Sequence, residues 1–237
     1  MTLPFFYKEN INLTTTQVVL DEDTSKHIVQ VLRMQIGEQL QLTNGKGNLF
    51  TAEIIDENRK KCTVSIIQKS ETSNPKFTIT IAISLIKNTT RFEWFLEKAT
   101  EIGVTQIIPL ICERTEKTAF KMERMKNIVI SAMLQSQQTW LPVLQQTVRF
   151  DNLMKQQFNN CNRFVAHCED ENNKQLLTNT LINHLANKII LIGPEGDFTK
   201  REIELAMSNN FIQVSLGNTR LRTETAGVVA ATLMAHL

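Results

Sequence analysis

Two short stretches hold the residues best suited to chemistry. One is Gly193-Pro194-Glu195-Gly196. The other runs from Leu216-Gly217 through Leu221-Arg222-Thr223-Glu224-Thr225-Ala226. Glycine lacks a Cβ and lets backbone approach a ligand, while proline fixes φ and offers no N–H. Arg222 supplies a permanent cation; Glu195 and Glu224 supply carboxylates. Such a set makes a backbone-built cradle for a polar ligand. Each residue also has an ordinary reading. The glycines serve turns, Ile192, Leu216 and Leu221 serve a core, Arg222 pairs with Glu224 or Glu195, and Glu195 closes its own loop onto backbone. No G-x-G-x-x-G fingerprint, P-loop, GxSxG elbow or HExxH is present. His27, His167, His184 and His236 show no metal spacing, and no metal site is expected.

The elements around these stretches explain how they would be positioned. Ile189 to Ile192 is a short apolar β-branched run and predicts a buried strand ending on the first glycine loop. Thr199 with Glu202 forms the T-x-x-E box that opens a helix. Phe211 to Leu216 predicts a second strand, ending on Gly217, and a last helix runs from Glu224 to Leu237. Thr225 and Ala226 lie in its first turn, whose free N–H groups suit a polar ligand. In open α/β sheets ligands collect beyond the C-terminal ends of strands. If these two strands are neighbours, their loops make one site.

Upstream, Phe77–Leu85 and Gln106–Ile111 predict strands. Between them lies a helix carrying Phe92, Phe95, Leu96, Ala99 and Ile102 on one face, opened by a Thr90–Glu93 box and closed by Gly103. A helix is expected from Met122 to about Thr139, a strand at Arg163–Ala166 and a polar helical stretch to Ala186. The alternation predicts an α/β domain with a mainly parallel sheet. Before Pro75 the pattern differs. Short strands at Phe5–Tyr7, Gln17–Leu20, Gln39–Leu42, Leu49–Ile55 and Cys62–Ile67, with an Asn44-Gly45 turn, predict a small barrel. A short helix from Thr24 to Leu32 is capped by Asp23 or Thr24. The polar stretch Ser70–Pro75 is the best linker, giving domains of residues 1–72 and 73–237.

Bulk composition narrows the function classes. The 237 residues carry 26 Lys+Arg and 24 Asp+Glu. Before Pro75 there are 8 basic and 9 acidic residues, and from Pro75 onward 18 and 15. This is not a general nucleic-acid binder, so any RNA contact would be a local patch. No apolar run has the length of a membrane helix, and MTLPFFYKEN does not read as a signal peptide. The scattered cysteines, Cys62, Cys112, Cys161 and Cys168, are expected as reduced thiols in a cytoplasmic protein.

The ordered blocks resemble the RsmE family. Val31-Leu32-Arg33 with Gly37 is similar to its N-terminal VLR-x3-G pattern. Lys87-x3-Arg91-x-Glu93 and Glu97-Lys98-Ala99-Thr100-Glu101-Ile102-Gly103-Val104 are similar to its K-x3-R-x-E and EKATELGV blocks; Ile108-Pro109, Glu113-Arg114, Ala132, Gln135-Ser136 and Leu141-Pro142 follow, and GPEG, LG and LRTETA close the match. Leu134, Gln138 and Asp197 stand where that family usually has Glu, Arg and Gly.

The resemblance implies a PUA-like β-barrel that recognises RNA, followed by a SPOUT α/β trefoil-knot domain, in a homodimer. It implies transfer of a methyl group from S-adenosylmethionine to N3 of a uridine in small-subunit (16S) ribosomal RNA, free or in the assembled subunit. S-adenosylhomocysteine is the product, and neither metal nor membrane takes part. The implied cofactor residues are Ile192, Gly193, Pro194, Glu195, Gly196, Leu216, Gly217, Leu221, Glu224, Thr225 and Ala226. Arg222 and Glu195 are the implied catalytic pair. His27, Arg33, Arg91 and Arg114 are RNA contacts, the two latter pairing otherwise with Glu93 and Glu113. His167 borders the cofactor or is merely half-buried. The alternatives are an RNA-binding or ribosome-assembly protein of the same fold, or a methyltransferase for another RNA.

Overall fold

The computed structural model describes residues 3–169, 174–181 and 187–236. Its contacts fall into two compact units. One comprises Met1–Asn74 with Met133–Leu141, the other Pro75–Ala132 with Pro142–Leu237.

The first unit is a curled five-stranded sheet of β1 (Phe5–Tyr7), β2 (Gln17–Val19), β3 (Gln39–Thr43), β4 (Asn48–Asp56) and β5 (Thr63–Glu71), in the order β1-β3-β4-β5-β2. Alternation along β4 buries Phe50, Ala52 and Ile54. Register shifts after Thr51 and Ile54 bend the strand. Helix α1 (Glu22–Lys26) begins earlier than Asp23 or Thr24 would allow. Asp21 is its cap, accepting the Thr24 N–H at 2.9 Å. A π-helical turn, His27–Val31, continues it, and Arg33 then takes a left-handed φ of 56°.

The β3–β4 turn is held by Asn44, whose Oδ1 accepts the Lys46 N–H at 2.9 Å. It also explains why residues 133–141 join this unit. Gly47 N–H donates to Thr139 O and Leu141 N–H to Gly45 O, each at 2.9 Å, and the Trp140 ring lies against Gly47. The helix expected to reach Thr139 therefore stops at Gln135.

The second unit is built on a parallel sheet. Its strands are β6 (Ile79–Ser84), β7 (Gln106–Ile111), β8 (Val143–Leu144), β9 (Val148–Arg149), β10 (Cys161–Ala166), β11 (Gln175–Leu176), β12 (Asn187–Ile192) and β13 (Ile212–Ser215). The order is β11-β13-β10-β12-β6-β7-β8, with β9 also paired to β7. Every residue of β6 is buried, as expected of a central strand covered on both faces.

The helices of this unit are α2 (Thr89–Ile102), α3 (Met122–Gln135), α4 (Phe150–Met154), α5 (Leu177–Thr180), α6 (Lys200–Ser208) and α7 (Thr223–His236). Gly103 closes α2 at φ 97°. Its opening differs from the expected box. Asn88 caps it by accepting from Thr90 N, and Glu93 is held instead by Arg124 at 2.6 and 2.9 Å. Gly227 lets α7 sit against Phe95 and Ile83, where a Cβ would collide with both. The helical stretch expected to reach Ala186 is in part β11 and α5; residues 170–173 and 182–186 lie outside the described residues.

Candidate active site

The C-terminal ends of β10, β12 and β13 surround a cleft of about 1020 Å³. Strands β12 and β13 are not neighbours, because β10 runs between them, yet their loops still meet at one cleft. The continuation of β10, His167-Cys168, therefore forms a third wall, in which His167 takes the bordering place expected of it as one of two readings.

The first loop, residues 193–198, is tied to the loops around it. Thr223 Oγ1 donates to Gly193 O at 3.0 Å. Lys87 N–H, beyond β6, donates to Glu195 Oε1 at 3.0 Å. Arg114, beyond β7, donates to Gly196 O at 2.7 Å and Phe198 O at 3.4 Å. Cys168 N–H donates to Asp197 Oδ2 at 2.7 Å. The left-handed position belongs to Asp197, at φ 63°, and neither Gly193 nor Gly196 has a positive φ. What Gly193 offers instead is space: a Cβ there would lie 3.1 Å from Phe198 N, a tight approach. The expected Thr199–Glu202 box then opens α6, with Glu202 1% exposed and also accepting Glu113 N–H at 2.9 Å.

The second loop, residues 217–222, is exposed except for half-buried Leu221. Its hydrogen bonds among the described residues are local: Ser215 Oγ to Gly217 O at 2.8 Å, and Ala226 N–H to Arg222 O at 2.7 Å.

Of the expected ligand residues, Ile192, Gly193, Pro194, Glu195, Leu216, Gly217, Leu221, Glu224 and Ala226 line the cleft, as do Arg222 and Arg91. Gly196 and Thr225 are not in the lining; Gly196 faces Arg114. Arg222 is exposed and pairs with no carboxylate among the described residues, so neither expected partner holds it. Glu224, with its side chain 8% exposed, lies 3.7 Å from Arg91 Nε. Arg91 thus approaches Glu224 rather than Glu93, while the Arg114 guanidinium serves carbonyls rather than Glu113. In the first unit His27 is exposed with its ring edge-on to Phe6 at 6.0 Å, and Arg33 is exposed.

His167 Nε2 lies 2.7 Å from Gln213 Oε1, and Nδ1 is buried without a partner among the described residues. Burial pushes its imidazole below the usual histidine range. Lys174 and Arg220 also reach the cleft. Arg220 sits inside a loop already singled out, whereas nothing local marks Lys174. Among the described residues no three His, Cys, Asp or Glu side chains gather as a metal-binding group. No described helix is long and apolar enough to cross a membrane.

Comparison with known proteins gives this geometry its setting. Residues 72–235 match the RNA methyltransferase domain family, and residues 20–67 match the RNA methyltransferase PUA domain. The ribosomal RNA small subunit methyltransferase E of Rickettsia conorii is 31% identical over 217 residues, covering 91% of this chain and 88% of that protein. The chain belongs to the ribosomal RNA small subunit methyltransferase E family.

Solved structures agree with that membership. A "probable rRNA-methyltransferase" from Porphyromonas gingivalis superposes with a TM-score of 0.88 at 39% identity, over 97% of this chain and 95% of that one. Ribosomal RNA small subunit methyltransferase E from Neisseria gonorrhoeae, bound to S-adenosyl methionine, gives 0.86 at 29% identity, over 98% and 96%. The expected fold class, a PUA-like domain followed by a SPOUT α/β domain with a mainly parallel sheet, is that of this methyltransferase E family member.

Proposed function

We propose that this protein transfers a methyl group from S-adenosylmethionine to N3 of a uridine in small-subunit ribosomal RNA. The observation that carries the reading is the meeting of the GPEG and LRTETA loops on one cleft, in a chain of this family. The residues present fit the cofactor. Gly193 lines the cleft and lets its loop close against Phe198, the first turn of α7 presents N–H groups, and the Glu224 carboxylate suits a ligand with a cationic centre. S-adenosylmethionine, when bound, supplies an electrophilic methyl on a positively charged sulfonium.

The protein's part is to orient the uracil and to make N3 nucleophilic. Positioning removes much of the barrier. As N3 gives up its proton, negative charge spreads to O2 and O4. Arg222, a cation at the cleft with no carboxylate partner among the described residues, is the group to stabilise it. Glu195 already accepts the Lys87 N–H, which suits it to orienting the loop and gives a role as base second place. Residues 1–72 serve RNA recognition with His27 and Arg33, and residues 73–237 serve catalysis, with Arg91 and Arg114 meeting RNA phosphates. A homodimer, a knotted chain path and a cytoplasmic setting complete the reading on the strength of the family resemblance.

The test is methyl transfer. Purified protein, labelled S-adenosylmethionine and small-subunit RNA, free and assembled, are incubated and the RNA is digested for mass spectrometry. N3-methyluridine is the expected product. A different methylated nucleoside, or label entering transfer RNA alone, would refute the stated specificity. No transfer by protein that binds the cofactor would favour an RNA-binding role.

A further inference from the structure

We infer that Asp197 is a positioning residue, bracing the cleft between two of its walls; the inference rests on the S-adenosylmethionine reading above. The ladder between β10 and β12 ends at the pair Ala166 and Ile192. Past it the strands run on as His167-Cys168 and as Gly193 to Asp197, and all of these but Gly196 line the cleft. The Asp197 carboxylate spans them. Oδ2 accepts the Cys168 N–H at 2.7 Å, and Oδ1 accepts the Phe198 N–H at 2.8 Å. Oδ1 also lies 3.3 Å from where a Cβ of Gly193 would be, so the carboxylate packs against the floor of the first loop.

The residue type explains the arrangement. The backbone needs a left-handed residue at 197, with φ 63°. Asp and Asn visit that region more readily than other non-glycine residues. Glycine, common at this position in the resemblance, would supply the conformation and nothing more. Aspartate supplies the conformation and a charge-assisted link to the neighbouring wall. In this chain a turn position has become a brace that holds the cleft ready before ligand arrives. A brace of this kind acts on affinity, because walls that must be ordered on binding weaken it. It does not touch the reacting uracil, so turnover at saturating cofactor is left to Arg222.

The experiment compares wild type, Asp197→Gly and Asp197→Asn by calorimetric titration with S-adenosylmethionine and by methyl transfer at saturating cofactor, with thermal melts alongside. Asp197→Gly is expected to weaken cofactor binding about tenfold or more, the loss of a charge-assisted hydrogen bond. Its kcat at saturation stays close to wild type. Asp197→Asn, which keeps the φ and one oxygen but not the charge, falls between them. If Asp197→Gly melts early, Asp197→Asn decides alone. Cofactor binding equal to wild type in the deciding variant, or a fall in kcat with unchanged affinity, would overturn the inference. If wild type binds normally, only the inference fails; if wild type binds no S-adenosylmethionine, the reading of the cleft fails with it.

Discussion

The two loops that meet at the cleft are built in opposite ways. Residues 193–198 are held by hydrogen bonds from beyond β6, β7 and β10 and from Thr223. Residues 217–222 bond only locally among the described residues and expose both Arg220 and Arg222. One loop is fixed before any ligand arrives, and the other presents cations on an adaptable backbone. The division suits a site with two ligands. A small cofactor gains affinity from walls already in place, whereas a polymer of variable surface gains from charges that can adjust. Glu195 and Asp197 illustrate the point, since each spends a carboxylate on a neighbouring backbone N–H.

The contrast can be broken first at Gly193. Gly193→Val places methyl groups where even a Cβ would crowd Phe198 N and the Phe198 ring. Cofactor binding should become undetectable by calorimetry while circular dichroism still shows a folded protein. Second is Arg222→Ala, in the adaptable loop. Methyl transfer should fall about 10²–10³-fold, the size found when one charge-stabilising donor is lost, with cofactor affinity little changed. Third is Glu202→Ala, which removes the reciprocal half of the α6 capping box, the acceptor of Thr199 N–H, and the acceptor of Glu113 N–H together. Unfolding in denaturant should show a loss of about 2–3 kcal/mol.

A smaller effect follows from the third wall. The folded state holds His167 below its ordinary pKa of 6.5 through burial. As pH falls through 6.5 the unfolded chain takes up its proton first, so stability declines from there toward the folded pKa. His167→Gln should flatten that part of a pH-dependent melting curve. The smallest effect belongs to Gly196→Ala. Its Cβ would stand 3.4 Å from Arg114 Cδ, an ordinary contact at a residue with no positive φ. Stability and cofactor affinity should stay within about 0.5 kcal/mol of wild type. A large loss there, beside tolerance at Gly193, would reverse the account of the two glycines.

Features written in neighbouring residues were legible in the sequence. Thr199-x-x-Glu202 is a box in both sequence and structure, and Gly103 ends α2 in the left-handed conformation expected of it. Where two local signals competed, the rival was missed: Asn88, extended just before the helix, caps α2 by accepting Thr90 N–H, and Glu93 pairs with Arg124 instead of completing a box. The site was legible as two loops but not as three walls. Strand order is a long-range property, and nothing near Cys168 announces that β10 will lie between β12 and β13. The sequence marks the glycines as places where backbone can approach closely, but not which neighbour does so; at Gly193 it is Phe198, within the loop itself. What Gly193 offers is space, not φ, and the unusual φ passed to Asp197, whose side chain reaches 29 positions back along the chain to Cys168. The end of α3 at Gln135 has the same origin, in a pull from the distant β3–β4 turn.

The most direct test of the central claim is calorimetric titration of S-adenosylmethionine into wild type, Gly193→Val and Arg222→Ala side by side. The account predicts binding by wild type and Arg222→Ala and none by folded Gly193→Val, placing the cofactor on the fixed loop and leaving Arg222 for the uracil. Unchanged binding by Gly193→Val, or binding abolished by Arg222→Ala alone, would contradict it.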